Sequence, residues 1–174
     1  MTDARVVSGS SAARQPAWNP FGTQLAYVLR RVGVNQIWLS RGQPLTVQKQ
    51  SEHEQLTPSD NVLSSFLPAW SPDGEVIVFS QTNADGSAPA WLMRLRYEER
   101  TTRNPTRVEI PSPIVDVNFS PDGFWIVFES KVGENARHDI YIASVTGANP
   151  RRLTTDPASD FDPVWMPIQR PALP

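Results

Sequence analysis

Ser120-Pro121-Asp122-Gly123, followed at once by Phe124-Trp125-Ile126-Val127-Phe128, is the stretch on which the reading of this chain turns. Proline presets φ at the first corner, aspartate bonds back to nearby amides, and glycine accepts a left-handed backbone, so the first four residues make a tight turn. The next five are β-branched or aromatic and continuous rather than alternating, the pattern of a short strand covered on both faces. Val117-Asn118-Phe119 just upstream supplies the other arm of a hairpin. Downstream, Asp139 to Ser144 reads as a third strand, Thr146 to Pro150 as a turn, and Arg151 to Thr154 as a short fourth strand. Four antiparallel strands in so short a span make one blade-sized unit.

The same phrase occurs elsewhere. Pro68-Ala69-Trp70-Ser71-Pro72-Asp73-Gly74 is a second copy, Pro16-Ala17-Trp18-Asn19-Pro20-Phe21-Gly22 a drifted one, and Pro163-Val164-Trp165-Met166-Pro167 a partial one. The aromatic anchors Trp18, Trp70, Phe119 and Trp165 recur about every 50 residues, a period of stacked supersecondary units. In the second copy, Glu75 to Phe79, Ala90 to Leu95 and Arg107 to Ile110 supply the remaining strands. In the first, Gln24 to Val28, Gln36 to Ser40 and Glu54 to Thr57 do so. Arg5-Val6-Val7-Ser8 aligns with Arg152-Leu153-Thr154-Thr155, so the chain reads as opening on a fourth strand and stopping on a first. The expectation is an all-β fold, a partial β-propeller of three four-stranded antiparallel blades. The blades are placed at 16–60, 61–112 and 113–155, with 1–15 and 156–174 as inter-blade closing strands of one domain.

Composition narrows the function classes. The formal net charge is −2 and no basic cluster stands out, so nothing argues for nucleic acid or an anionic membrane surface. There are no cysteines, hence no disulfide, thiolate nucleophile or cysteine-held metal. No apolar run approaches the ~18 residues of a membrane span. Met1 to Arg5 does not open a signal peptide, and the compartment stays open. The 17 prolines sit largely at fixed places in the repeats and read as turn punctuation.

Together these residues resemble the TolB-type β-propeller repeat, a relative of the WD-type repeats. The match is close from Pro68 to Phe79 and from Asn118 to Trp165, and partial from Pro16 to Leu39. The resemblance implies a protein-binding or scaffold module, often outside the cytoplasm. It also implies six or more blades, whereas this chain carries three. Three blades alone would leave apolar blade faces and strand edges open to water. Three readings follow: an excerpt of a longer propeller, a pairing with a second copy, or docking on a different protein. The resemblance also allows a substrate-gating propeller segment of a larger serine peptidase or hydrolase, and a metal-dependent lactonase-like propeller resting on Asp156, Asp160 and Asp162.

The candidate residues are weighed against plain structural roles. Trp18, Trp70, Phe119 and Trp165 repeat in register, so inter-blade packing explains them better than ligand stacking. Trp38, Trp91 and Tyr141 receive the same reading. Turn formation accounts for Asp73-Gly74 and Asp122-Gly123 without a metal. Asp156, Asp160 and Asp162 lack the glycine and closing glutamate of a calcium loop, and a structural role is favoured over cation binding. His53 and His138 lie in polar stretches and read as solvated, with no partner at zinc-ligand spacing. There is no G-x-S-x-G elbow and no phosphate-cradling glycine loop. The arginine pairs Arg30-Arg31, Arg94-Arg96 and Arg151-Arg152 read as solvated blade edges. No catalytic residue, metal or cofactor is assigned. The residues entering each innermost strand, Gln15, Leu67, Asp116 and Asp162, form the candidate channel-mouth ring for a ligand or partner, with Asp160 beside them. The partner is expected to be a protein or a second copy of this chain.

Overall fold

Residues 12–41, 53–57, 63–83, 85–95, 104–132 and 137–166 are described by a computed structural model. The strand expected at Arg5 to Ser8 lies outside these residues, as do 1–11 and 167–174 of the expected closing strands. Among the described residues there are twelve strands and no helix.

They form three sheets of four antiparallel strands. The first runs β1 (Ala13–Trp18), β2 (Gln24–Arg31), β3 (Val34–Arg41) and β4 (His53–Gln55). The second runs β5 (Ser65–Trp70), β6 (Val76–Gln81), β7 (Ala90–Arg94) and β8 (Thr106–Val108). The third runs β9 (Ile114–Phe119), β10 (Trp125–Lys131), β11 (His138–Ser144) and β12 (Arg151–Arg152). Each sheet follows chain order, so each is a meander. All three are blades of one propeller arc.

The hairpin joining the first two strands of a blade is closed by the residues singled out above. Gly74 N–H donates to Ser71 O at 2.9 Å and Gly123 N–H to Ser120 O at 2.9 Å. The glycines sit at φ +70° and +76°, where a Cβ is strained. Ser71 Oγ donates to Asp73 Oδ1 at 2.5 Å, and the same oxygen accepts Val76 N–H at 2.9 Å. Asp73 Oδ1 also accepts Glu75 N–H at 3.0 Å. Ser120, Asp122, Phe124 and Trp125 repeat this set. Blade 1 reaches the same turn with a different side chain. Asn19 Oδ1 accepts Thr23 N–H at 2.8 Å and Gln24 N–H at 3.1 Å, and its Nδ2 donates to Thr23 Oγ1. One amide therefore replaces the serine–aspartate pair. The turns also overlap: Phe21 lies where a Cβ on Gly74 would fall, at 2.9 Å, and Pro72 lies 3.6 Å from the corresponding point on Gly123.

Alternation explains the continuous apolar runs. In β6, Ile77 and Phe79 join Ala26, Val28, Ile37, Leu39 and Trp70 in the core between blades 1 and 2. Val78, one step out of phase, joins Val117, Ile126, Phe128 and Tyr141 in the core between blades 2 and 3. A strand clamped between two neighbours has no polar face to show. Leu25, Tyr27 and Leu29 form a third buried cluster on the far face of blade 1, with Trp38 packed on it. Trp91 packs on the first core, and Tyr141 stacks on Phe128 with ring centroids 5.5 Å apart.

Candidate functional site

The inner edge of the arc is lined by β1, β5 and β9, each the first strand of its blade. Gln15 and Leu67 interrupt the pairing there. The ladder slips between Arg14 and Ala17 in β1 and between Phe66 and Ala69 in β5. At each slip a non-glycine residue takes a left-handed backbone, Gln15 at φ +51° and Leu67 at φ +56°. Both precede a proline, whose ring disfavours the right-handed helical region for the residue before it. Asp162, before Pro163, does the same at φ +53°. Such conformations cost of order 1–3 kcal/mol each and persist only where the surroundings impose them. Asp116 precedes Val117 and is not among these outliers, although β9 also slips, between Ile114 and Asp116.

Gln15, Leu67 and Asp116 share one groove of about 530 Å³. Its walls include Trp18, Pro68 and Phe119. Gln15 spans the first seam by accepting Leu67 N–H at its Oε1, 3.1 Å away. Trp70 spans it too, its indole N–H donating to Ala17 O at 2.9 Å. Trp165 repeats that bond toward blade 3, donating to Asn118 O at 3.2 Å. The anchors are thus inter-blade ties as well as core residues. Trp18 departs from the packing expectation: it is 46% exposed and forms groove wall.

Asp162 and Asp160 do not line the groove; they belong to a strap, residues 156–166, laid along blade 3 without ladder pairing. Asp162 N–H donates to Glu129 Oε2 at 3.3 Å, and Asp160 N–H to His138 O at 2.9 Å. The second carboxylate oxygen of Asp160 is buried without a hydrogen-bond partner. Asn118 Nδ2 donates both to Pro163 O at 3.0 Å and to Asp116 Oδ2 at 3.2 Å. Burial raises the Asp116 carboxyl above its ordinary value, and the nearby charges of Asp162 and Glu129 raise it further.

The structure corrects the reading of His138 as a solvated loop residue. It opens β11, its Nδ1 bonds the Glu129 carboxylate, and Phe161 packs on its ring at 4.8 Å. Glu129 itself is only 2% exposed. His53 likewise has a partner, the Tyr27 hydroxyl at 2.9 Å. Arg152 is not simply solvated: it donates to the buried Asp139 carboxylate at 2.6 Å. Among the described residues, no group of three or more histidine or acidic side chains is arranged to hold a metal ion.

No protein-family model matches the sequence. The chain is 31% identical over 146 residues to the Tol-Pal system protein TolB of Anaeromyxobacter dehalogenans, covering 83% of this chain and 30% of that protein. It is 26% identical over 170 residues to the uncharacterized peptidase YuxL of Bacillus subtilis, covering 77% of this chain and 25% of that one. The crystal structure of TolB from Acinetobacter baumannii superposes with a TM-score of 0.66 at 26% identity, over 84% of this chain and 33% of the other. The chain therefore spans about a third or less of the length of these relatives.

Proposed function

Because these blades belong to the TolB-type β-propeller repeat family, we propose that the chain is a non-catalytic protein-binding module that receives a segment of its partner in the inner groove. The observation that carries this reading is the pairing of strain with concavity. Two left-handed, pre-proline residues, Gln15 and Leu67, kink adjacent inner strands at the wall of one cleft. Backbone strain of this kind gathers where a site needs a fixed shape. The groove offers an exposed indole and three proline rings for apolar contact, and one carboxylate for orientation. The catalytic set of a hydrolase has no counterpart in it.

Assembly belongs to the same reading. Phe161, Val164 and Met166 leave apolar surface exposed along the strap, and Val164 is 82% exposed. A further blade, from a second copy or another chain, would cover it. The relation to a peptidase supports one alternative, a gating segment whose hydrolase domain lies elsewhere in a longer chain.

A displayed-peptide selection tests the binding role. Selected peptides are expected to lose at least about tenfold in affinity for Trp18→Ala, which removes an exposed aromatic that a bound segment would cover. Leu67→Glu is expected to abolish their binding. Binders indifferent to both variants, or no binders at all, would refute the groove as the site. Native mass measurement checks assembly; a monomer at all concentrations would remove self-association.

A further inference from the structure

We propose that the inner groove selects an extended partner segment carrying a lysine or arginine, whose cationic head is placed against Asp116; this rests on the groove being the binding site.

Pro16, Pro20 and Pro68 line the groove and have no backbone N–H to give. Leu67 N–H is already held by Gln15, and the Asn118 side-chain amide is held by Asp116 and Pro163. The indole of Trp70 is turned to Ala17 O. Of the lining's side chains, the Gln15 amide nitrogen and the Trp18 indole remain as neutral donors, and the Asp116 carboxylate is the one charged acceptor. A cationic, donor-rich head group therefore finds its complement at Asp116.

Charge points the same way. Asp116 is the one charged residue of the lining. Among the described residues no cation pairs with it: Arg41 pairs with Glu54, Arg107 with Glu109 and Arg152 with Asp139, while His138 bonds Glu129. Its acidic neighbours, Asp162 and Glu129, add to the negative potential; burial first, and then these charges, raise the Asp116 carboxyl above its ordinary value. Arg14, next in sequence to the groove, directs its guanidinium to Asn35 Oδ1. A half-buried carboxylate facing a cleft without a counter-charge gains most from a cation that the ligand brings. The flanking aromatic walls, Trp18 and Phe119, suit the alkyl stem of such a side chain or a stacked guanidinium.

The test uses three acetylated, amidated pentapeptides, Ala-Pro-Arg-Pro-Ala and its counterparts with glutamine or glutamate at the centre. Binding is followed by NMR at the Trp18 indole and the Asn118 side-chain amide, which suits weak affinity. The arginine peptide is expected to shift both signals saturably and to bind about fivefold tighter than the glutamine peptide. The glutamate peptide should bind weakest. The preference should shrink between about 0.05 M and about 0.3 M salt. Asp116→Asn should erase it, whereas Asp85→Asn, the same charge change on an exposed turn, should leave it intact. Equal binding of the arginine and glutamine peptides would overturn the inference while leaving the groove as a site. Preference lost equally in both variants would reduce it to net charge and overturn it. Silence of the groove signals toward all three peptides would sink both the inference and the reading beneath it.

Discussion

The first seam of the arc and the last are tied by the same bond and sealed by different forces. At the first, Trp70 donates to Ala17 O; at the last, Trp165 donates to Asn118 O. Behind Trp70 stand Phe79, Met93, Ile37 and Leu39, all buried. Beside Trp165 the strap meets blade 3 through polar bonds, Asp162 N–H to the buried Glu129 that His138 also bonds, and it carries exposed Val164 and Met166. The indole-to-carbonyl tie sets register between neighbours. Burial decides how much free energy that register carries, since a hydrogen bond yields about 1 kcal/mol net and a buried aromatic several times that.

The largest loss of stability is expected at the first seam. Phe79→Ala is expected to cost about 3–5 kcal/mol in denaturant unfolding, while Trp165→Ala should cost no more than about 1–2 kcal/mol and loosen only the strap by hydrogen exchange. Equal losses would mean that the two seams are equivalent after all. The middle seam supplies the next effect. Gly147, at φ +87°, lies against blade 2, where an added Cβ would meet Glu109 N at 3.0 Å and Val108 Cγ1 at 3.0 Å. Gly147→Ala combines a forbidden backbone with a clash on main-chain atoms and should cost about 2–3 kcal/mol.

Titration sharpens the contrast further. Asp116 has a folded value above its unfolded one, so its ionised form opposes folding at neutral pH, and that opposition is relieved as pH falls through the raised value. Asp116→Asn should therefore raise the midpoint of thermal unfolding slightly at pH 7 and not at pH 4. Asp73 behaves oppositely. The Ser71 hydroxyl, ahead of the Glu75 amide, lowers its value, so its contribution is present above the ordinary carboxylate range and lost as pH falls through the depressed value. The smallest effect follows: amide exchange in the 71–76 turn should accelerate in acid beyond the intrinsic trend, while the Asn19 turn, which has no ionisable group, should follow that trend.

Much of this was legible in the sequence because turn chemistry is local. Ser120-Pro121-Asp122-Gly123 states its own hydrogen bonds, and the anchor spacing states the blade count. Gln15, Leu67 and Asp116 could be brought to one groove by their equal offset from Trp18, Trp70 and Phe119. Glu129 and His138 could not be found by offset. They meet because Lys131 pairs with His138 and Glu129 with Ile140, which makes them diagonal neighbours on one sheet face. A hairpin register, read through the loop between them, was the missing signal. The left-handed backbone at Asp162 was open to the same reading as at Gln15 and Leu67, since all three precede proline. Trp18 holds the same repeat position as Trp70, so its 46% exposure is not legible from the repeat.

The overlap of the three turns has its own consequence. Gly74 must be bare for its own backbone, and the exposed ring of Phe21 rests where its Cβ would fall. Pro72 in turn rests over Gly123. Each turn is therefore shaped for the one before it, like tiles laid in a fixed direction. Only blade 1 carries an aromatic ring at that edge, so moving it would leave Gly74 uncovered, whereas the identical Ser-Pro-Asp-Gly turns of blades 2 and 3 set no such order.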